Sequence, residues 1–121
     1  DEWQGYCVAK GTLIEPLGDS PYHTEEHDET HWIEIWTANG FKLRGSQEHP
    51  VFTVHGGKPP LIEVNVGDKV LTKLGESKVT CHFHIIAEKS PETKVSVHMD
   101  VGHLFWANGV LSHNRKEYEA Q

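Results

Sequence analysis

Hydrophobic and polar residues alternate at period two along almost the whole chain. Trp32-Ile33-Glu34-Ile35-Trp36 and Phe41-Lys42-Leu43-Arg44 alternate on either side of Ala38-Asn39-Gly40. Asn-Gly between alternating runs is the strongest short hairpin signal, because both residues tolerate positive φ. Further strand-like runs cover residues 51–55, 69–73, 78–86, 94–100 and 104–106. No segment repeats convincingly at helical period, although residues 60–65 are suited to one short helical turn before the turn Val66-Gly67-Asp68. The pattern predicts an all-β fold of many short strands. Residues 56–60, Gly-Gly-Lys-Pro-Pro, make a loop. The acidic stretch 18–30 is too polar to pack and is also expected to be a loop.

The length of 121 residues leaves room for one domain with one modest core. Eighteen Asp and Glu against eleven Lys and Arg give a net charge of −7, which makes an anionic nucleic acid a poor partner. No apolar stretch approaches the ~20 residues that span a bilayer, and the start Asp1-Glu2-Trp3 has neither the basic nor the apolar region of a signal peptide. A soluble, cytoplasmic monomer without a membrane partner is therefore expected, its location following that of any host protein. Two cysteines, Cys7 and Cys81, make no disulfide framework, and their spacing fits one bridge as well as two thiols.

His23, His27 and His31 recur every four residues, which would set them on one helix face and suit a metal. The segment has no apolar stripe to hold such a helix, so a solvated acidic loop is expected, with no metal and no cofactor. His82 and His84 share one face of a strand, with Cys81 on the other.

Four short segments together resemble the sequence blocks of inteins and of the wider Hint (hedgehog-intein) superfamily, which includes bacterial intein-like domains. Cys7-Val8-Ala9-Lys10-Gly11-Thr12-Leu13-Ile14 is similar to the opening block, a cysteine followed by a Gly-Thr turn and an apolar strand. Ser46-Gln47-Glu48-His49-Pro50-Val51-Phe52 is similar to the Thr-x-x-His block, with Ser in the place of Thr. Residues 61–71 look like the Gly-Asp-x-Val strand of many Hint domains. The last two blocks are fused in residues 103–114, from His103 to the ending His113-Asn114.

The resemblance implies a Hint fold, a horseshoe of long, bent, mostly antiparallel strands that brings the domain's ends together. It divides the chain into a flank at 1–6, a Hint domain without a homing endonuclease at 7–114, and a second flank at 115–121. The only partners it implies are those flanking segments. It also implies the chemistry. An amide is a poor electrophile, so the first step needs a strong nucleophile against the preceding carbonyl, and a thiol is the most nucleophilic side chain near neutral pH. Cys7 would attack the carbonyl of Tyr6 to give a thioester, with His49 and Ser46 protonating the leaving amine and holding the oxyanion. Asn114 would close on its own carbonyl and break the bond to Arg115, assisted by His113 and His103.

Two positions depart from the pattern. Splicing needs Cys, Ser or Thr directly after the terminal Asn, and this chain has Arg115; terminal cleavage or a blocked precursor is the expectation. Inteins often carry Asp in the strand before the penultimate blocks, where this chain has Ser96. The rival from another class is a β-sandwich binding module, with the acidic loop and its histidines as a metal-dependent contact. A further alternative is a Hint domain that passes its thioester to an external amine.

Overall fold

A computed structural model describes residues 6–18, 21–99, 102 and 104–113. The described strands are β1 (Cys7–Ala9), β2 (Ile14–Pro16), β3 (Tyr22–Glu29), β4 (His31–Thr37), β5 (Lys42–Ser46), β6 (Lys69–Thr72), β7 (Gly75–Ile86), β8 (Glu92–Met99), β9 (Leu104–Ala107) and β10 (Val110–His113). There is no α-helix among the described residues. A 3-10 turn, Leu61–Glu63, forms where the sequence allows a helical turn, entered through Pro60, whose ring fixes φ near the helical value.

The strands hydrogen-bond in the order β2-β9-β10-β6-β7-β4-β5-β1-β8-β3, each pair antiparallel. The twelve-residue β7 joins the two halves of this sheet. Its residues 75–78 pair with β6, and 79–86 pair with β4 across a bulge at Trp36/Thr37. A bulge adds local twist and bend, so the sheet turns at that point instead of running flat. Alternation on β4 sends Ile33 and Ile35 inward, where they meet Val8, Leu43, Val79, Val97, Phe105 and Val110 in one core. Fully burying side chains of this size is worth roughly 1.5–3 kcal/mol each, more than any single hydrogen bond listed below.

Most of the stretch 18–30 is not the loop that polarity suggests, though residues 19 and 20 lie outside the described residues. Residues 22–29 form β3, in register with β8 from Tyr22↔Met99 to Glu29↔Glu92. The strand is the outermost of the sheet, so its charges remain largely in water and carry little desolvation cost. Lys94 pairs with Glu29 at 3.0 Å and Lys10 with Glu26 at 3.2 Å. Charge on an edge strand also discourages pairing with a second chain. Conversely, residues 51–55 are not a regular strand. They make isolated bridges at Val51 and Thr53 and then turn through Gly56 at φ 82°.

The segment after β5 spans the two halves. Phe52 N–H donates to Leu111 C=O (3.1 Å), Leu71 N–H to Phe52 C=O (3.0 Å), and His113 N–H to Pro50 C=O (3.3 Å). Ser46, the last residue of β5 and directly before this segment, touches β1 instead. One short stretch therefore holds the start of the domain against its end.

The β9–β10 turn, Asn108-Gly109, does more than reverse the chain. Asn108 sits at φ 48° and Gly109 at φ 82°. Asn108 Oδ1 accepts from Leu13 N–H (2.7 Å), and its amide donates to Lys42 C=O (3.0 Å), which bolts the turn to two other segments. A Cβ on Gly109 would lie 2.3 Å from the Phe41 ring, so glycine is required there on space as well as on φ.

Candidate active site

β1 is short and central, with β5 on one side and β8 on the other, and this position buries Cys7 completely. Its peptide flanks are held by one hydroxyl. Cys7 N–H donates to Ser46 Oγ (3.2 Å), and Ser46 O–H donates to Cys7 C=O (3.2 Å). Ser46, at the end of β5 and also fully buried, therefore lies on the nitrogen of the Tyr6–Cys7 bond. The approach is possible because residue 45 is glycine. A Cβ on Gly45 would fall 2.8 Å from Cys7 C=O, 2.9 Å from Leu61 and 3.4 Å from His49 Cβ.

His49 follows in the turn closed by His49 N–H to Ser46 C=O (3.2 Å) and is likewise fully buried. Its Nε2 lies 3.0 Å from Ser112 Oγ, on β10. The Ser112 hydroxyl has one proton, and that proton is directed at Val110 C=O (3.2 Å). With the hydroxyl proton on Val110, Ser112 accepts from His49 Nε2–H and Nδ1 carries the lone pair. Nδ1 is buried and has no hydrogen-bond partner among the described residues. Burial, and secondly the nearby His113, pull the His49 pKa down to about 3, so the ring rests neutral. The Phe105 ring meets it edge-on at 6.2 Å.

His113, the last described residue, is buried at the end of β10 with its ring 6.2 Å from that of Phe52. Cys7, Ser46, His49 and His113, all expected from sequence, are thus described in one neighbourhood. His103, Asn114 and Arg115 lie outside the described residues, and Tyr6 is described only as partly buried. Three contributors carry no sequence signal: Gly45, which makes room; Ser112, which holds His49; and Lys94.

Burial raises the Cys7 pKa to about 12; Lys94 opposes this, and Glu29 and Glu48 add to it. The thiol therefore rests protonated, with the largely buried Lys94–Glu29 pair beside it. No disulfide joins Cys7 to Cys81. Ser96, in the place of the intein Asp, is the cross-strand partner of Cys7 and is fully buried. Its hydroxyl donates to Glu25 C=O (3.4 Å) and hydrogen-bonds His98 Nε2 (3.1 Å).

The four-residue histidine spacing does not describe what gathers at β3. His23, Glu25 and His98 bring their ligand atoms within 4.8 Å of one another, and neither His27 nor His31 belongs to that group. His31 instead hydrogen-bonds Thr30 Oγ1 at 2.8 Å. On β7, His82 Nε2 and His84 Nε2 lie 3.3 Å apart.

No protein-family model matches the chain, and no curated protein matches it. Solved structures do. A bacterial intein-like domain from Clostridium thermocellum superposes with a TM-score of 0.73 at 22% identity, over 88% of this chain and 83% of that one. The gp41-1 intein gives 0.70 at 16% identity, over 89% and 98%. A transcription factor IIB mini-intein, Mvu, gives 0.67 at 19% identity, over 85% and 71%. The chain has the all-β Hint fold of these domains, and the β-sandwich alternative is set aside.

Proposed function

We propose that the chain is a self-processing domain of the intein type, spanning residues 7–114, which cuts its own backbone at both ends and acts on no external substrate. The observation that carries this reading is the buried Ser46 hydroxyl on the Tyr6–Cys7 peptide nitrogen, with His49 tied to the far end of the domain through Ser112. Cys7, Ser46, His49 and Ser112 have no exposure. A site closed to this degree suits a reaction on the chain that runs through it.

In the first step Cys7 Sγ bonds to the Tyr6 carbonyl carbon and the C–N bond breaks. The thiol proton ends on the freed nitrogen, which becomes the α-amine of Cys7. While the amide is planar its N–H donates to Ser46; once the nitrogen pyramidalises it needs a proton, and the Ser46 hydroxyl is within reach to deliver one. His49 takes the thiol proton as a transient imidazolium and returns it to Ser46 Oγ once that hydroxyl has protonated the amine, so both side chains end neutral. In the second reaction the Asn114 side-chain nitrogen bonds to its own carbonyl carbon and expels the Arg115 amine, leaving a succinimide. Arg115 offers no hydroxyl or thiol to receive the acyl group. Cleavage at the two ends, without ligation, is the outcome.

Intact mass followed for a day at neutral pH, with and without dithiothreitol, tests this. The expected result is loss of the first six residues, accelerated by the thiol, and loss of the seven residues after Asn114. Cys7→Ala abolishes the first product and Asn114→Ala the second. A wild-type mass that never changes overturns the proposal.

A further inference from the structure

β3 and β8 bring together a donor set that the cleavage chemistry does not use. His23 and His98 are direct cross-strand partners, with rings stacked at 4.7 Å and 8°. Glu25, two residues on from His23, projects from the same face, and its Oε1 lies 3.8 Å from His98 Nε2. The ligand atoms of all three fall within 4.8 Å of one another.

We propose that His23, Glu25 and His98 form a binding site for a divalent transition metal of the zinc type, which clamps edge strand β3 to β8. Two imidazoles and one carboxylate, with a water completing a tetrahedron, is a donor set that zinc takes readily. The chemistry also separates metals: imidazole ligands favour zinc, copper and nickel over magnesium and calcium, which prefer oxygen alone. Tetrahedral bonds of about 2.0–2.1 Å put ligand atoms roughly 3.4 Å apart, so the exposed His23 ring must turn out of the stack until both ring planes contain the metal. Glu25 is about half exposed and can follow, whereas the His98 side chain, 10% exposed, is the fixed wall of the site. Ser96 Oγ lies 3.1 Å from that same nitrogen, His98 Nε2, so ligation through Nε2 exchanges the Ser96 hydrogen bond for the metal. Without a metal, β3 is held at the sheet edge by its ladder with β8 and the Lys94–Glu29 pair. With one, three side chains from two strands share a bond network.

The proposal is independent of the self-cleavage reading, and its test reads binding and unfolding. Zinc chloride is titrated calorimetrically into the full chain at neutral pH under a phosphine reductant, and thermal unfolding is followed with and without zinc. One saturable site and a raised unfolding midpoint are expected. His98→Gln and His23→Gln each weaken binding at least tenfold and remove the midpoint shift, and Glu25→Gln weakens it several-fold. The double variant His82→Gln, His84→Gln leaves both readouts unchanged, as does Cys7→Ala. All of these positions except His98 and Cys7 lie on exposed or partly exposed strand surface, so folding is checked by the unfolding curve without metal. No saturable binding overturns the proposal, as does binding that survives His98→Gln but is lost in the His82/His84 variant or in Cys7→Ala.

Discussion

Cys7 and His49 are buried to the same extent, yet burial moves them in opposite directions on the pH scale. It pushes the thiol up to about 12 and the imidazole down to about 3. The cause is common: a low-dielectric site disfavours whichever form is charged, the thiolate in one case and the imidazolium in the other. Both groups rest neutral, so on the proposed reading the nucleophile and its base store no charge until they act together. The difference between them is what lies around each: Cys7 has Lys94 to favour a thiolate and Glu29 and Glu48 to oppose it, while among the described residues His49 has neutral Ser112 on Nε2 and a second histidine, His113, nearby.

That contrast is broken most severely by His49→Gln. It keeps a donor for Ser112 and removes the lone pair at the centre of the site. Cleavage after Tyr6 is expected to slow by about 10²-fold or more, measured by mass against time. Gly45→Ala comes next, because a Cβ must displace either the Cys7 carbonyl or His49. A loss of about 1–3 kcal/mol in denaturant unfolding is expected, with slowed cleavage in the fraction that folds. Ser112→Ala sharpens the comparison: it frees the His49 ring without changing its identity, and about a tenfold loss of rate corresponds to the ~1.4 kcal/mol of one hydrogen bond.

The pH dependence of stability is the most direct reading of the contrast. The His49 pKa is depressed, so its contribution is full above the ordinary 6.5 and is lost as pH falls toward about 3. The Cys7 pKa is raised, so its contribution is full below the ordinary 9.0 and is lost as pH rises toward about 12. Unfolding free energy measured against pH is expected to show a plateau between those ordinary values. His49→Gln flattens the acid limb alone, and Cys7→Ala flattens the alkaline limb alone.

Much of this was legible in the chain. Alternation located the interior strands because each has one face in the core, as Ile33 and Ile35 do. It failed at β3, where an edge strand in water has no face to keep apolar, and at residues 51–55, where an apolar run crosses between sheet halves instead of pairing along one. Cys7, Ser46, His49 and His113 were singled out by their resemblance to the intein blocks, and the fold brings them into one neighbourhood. Gly45 and Ser112 were not, since each matters only through a neighbour distant in sequence. The same holds for the metal donors: spacing along β3 suggested His27, while the fold supplied His98 from β8.

The hydrogen bonds around the two Asn-Gly turns bear on how the protein ages. Asn-Gly is a dipeptide prone to spontaneous succinimide formation, and on the proposed reading, in which Asn114 undergoes this reaction, the domain must not undergo it elsewhere. Asn108 is held by Leu13 and Lys42, and Asn39 by Thr37 and Thr72. A side chain tied at both its oxygen and its nitrogen cannot swing into line with the backbone. Stored precursor should therefore deamidate at these turns far more slowly than a free peptide of the same sequence, and its chemical clock should run at the termini alone.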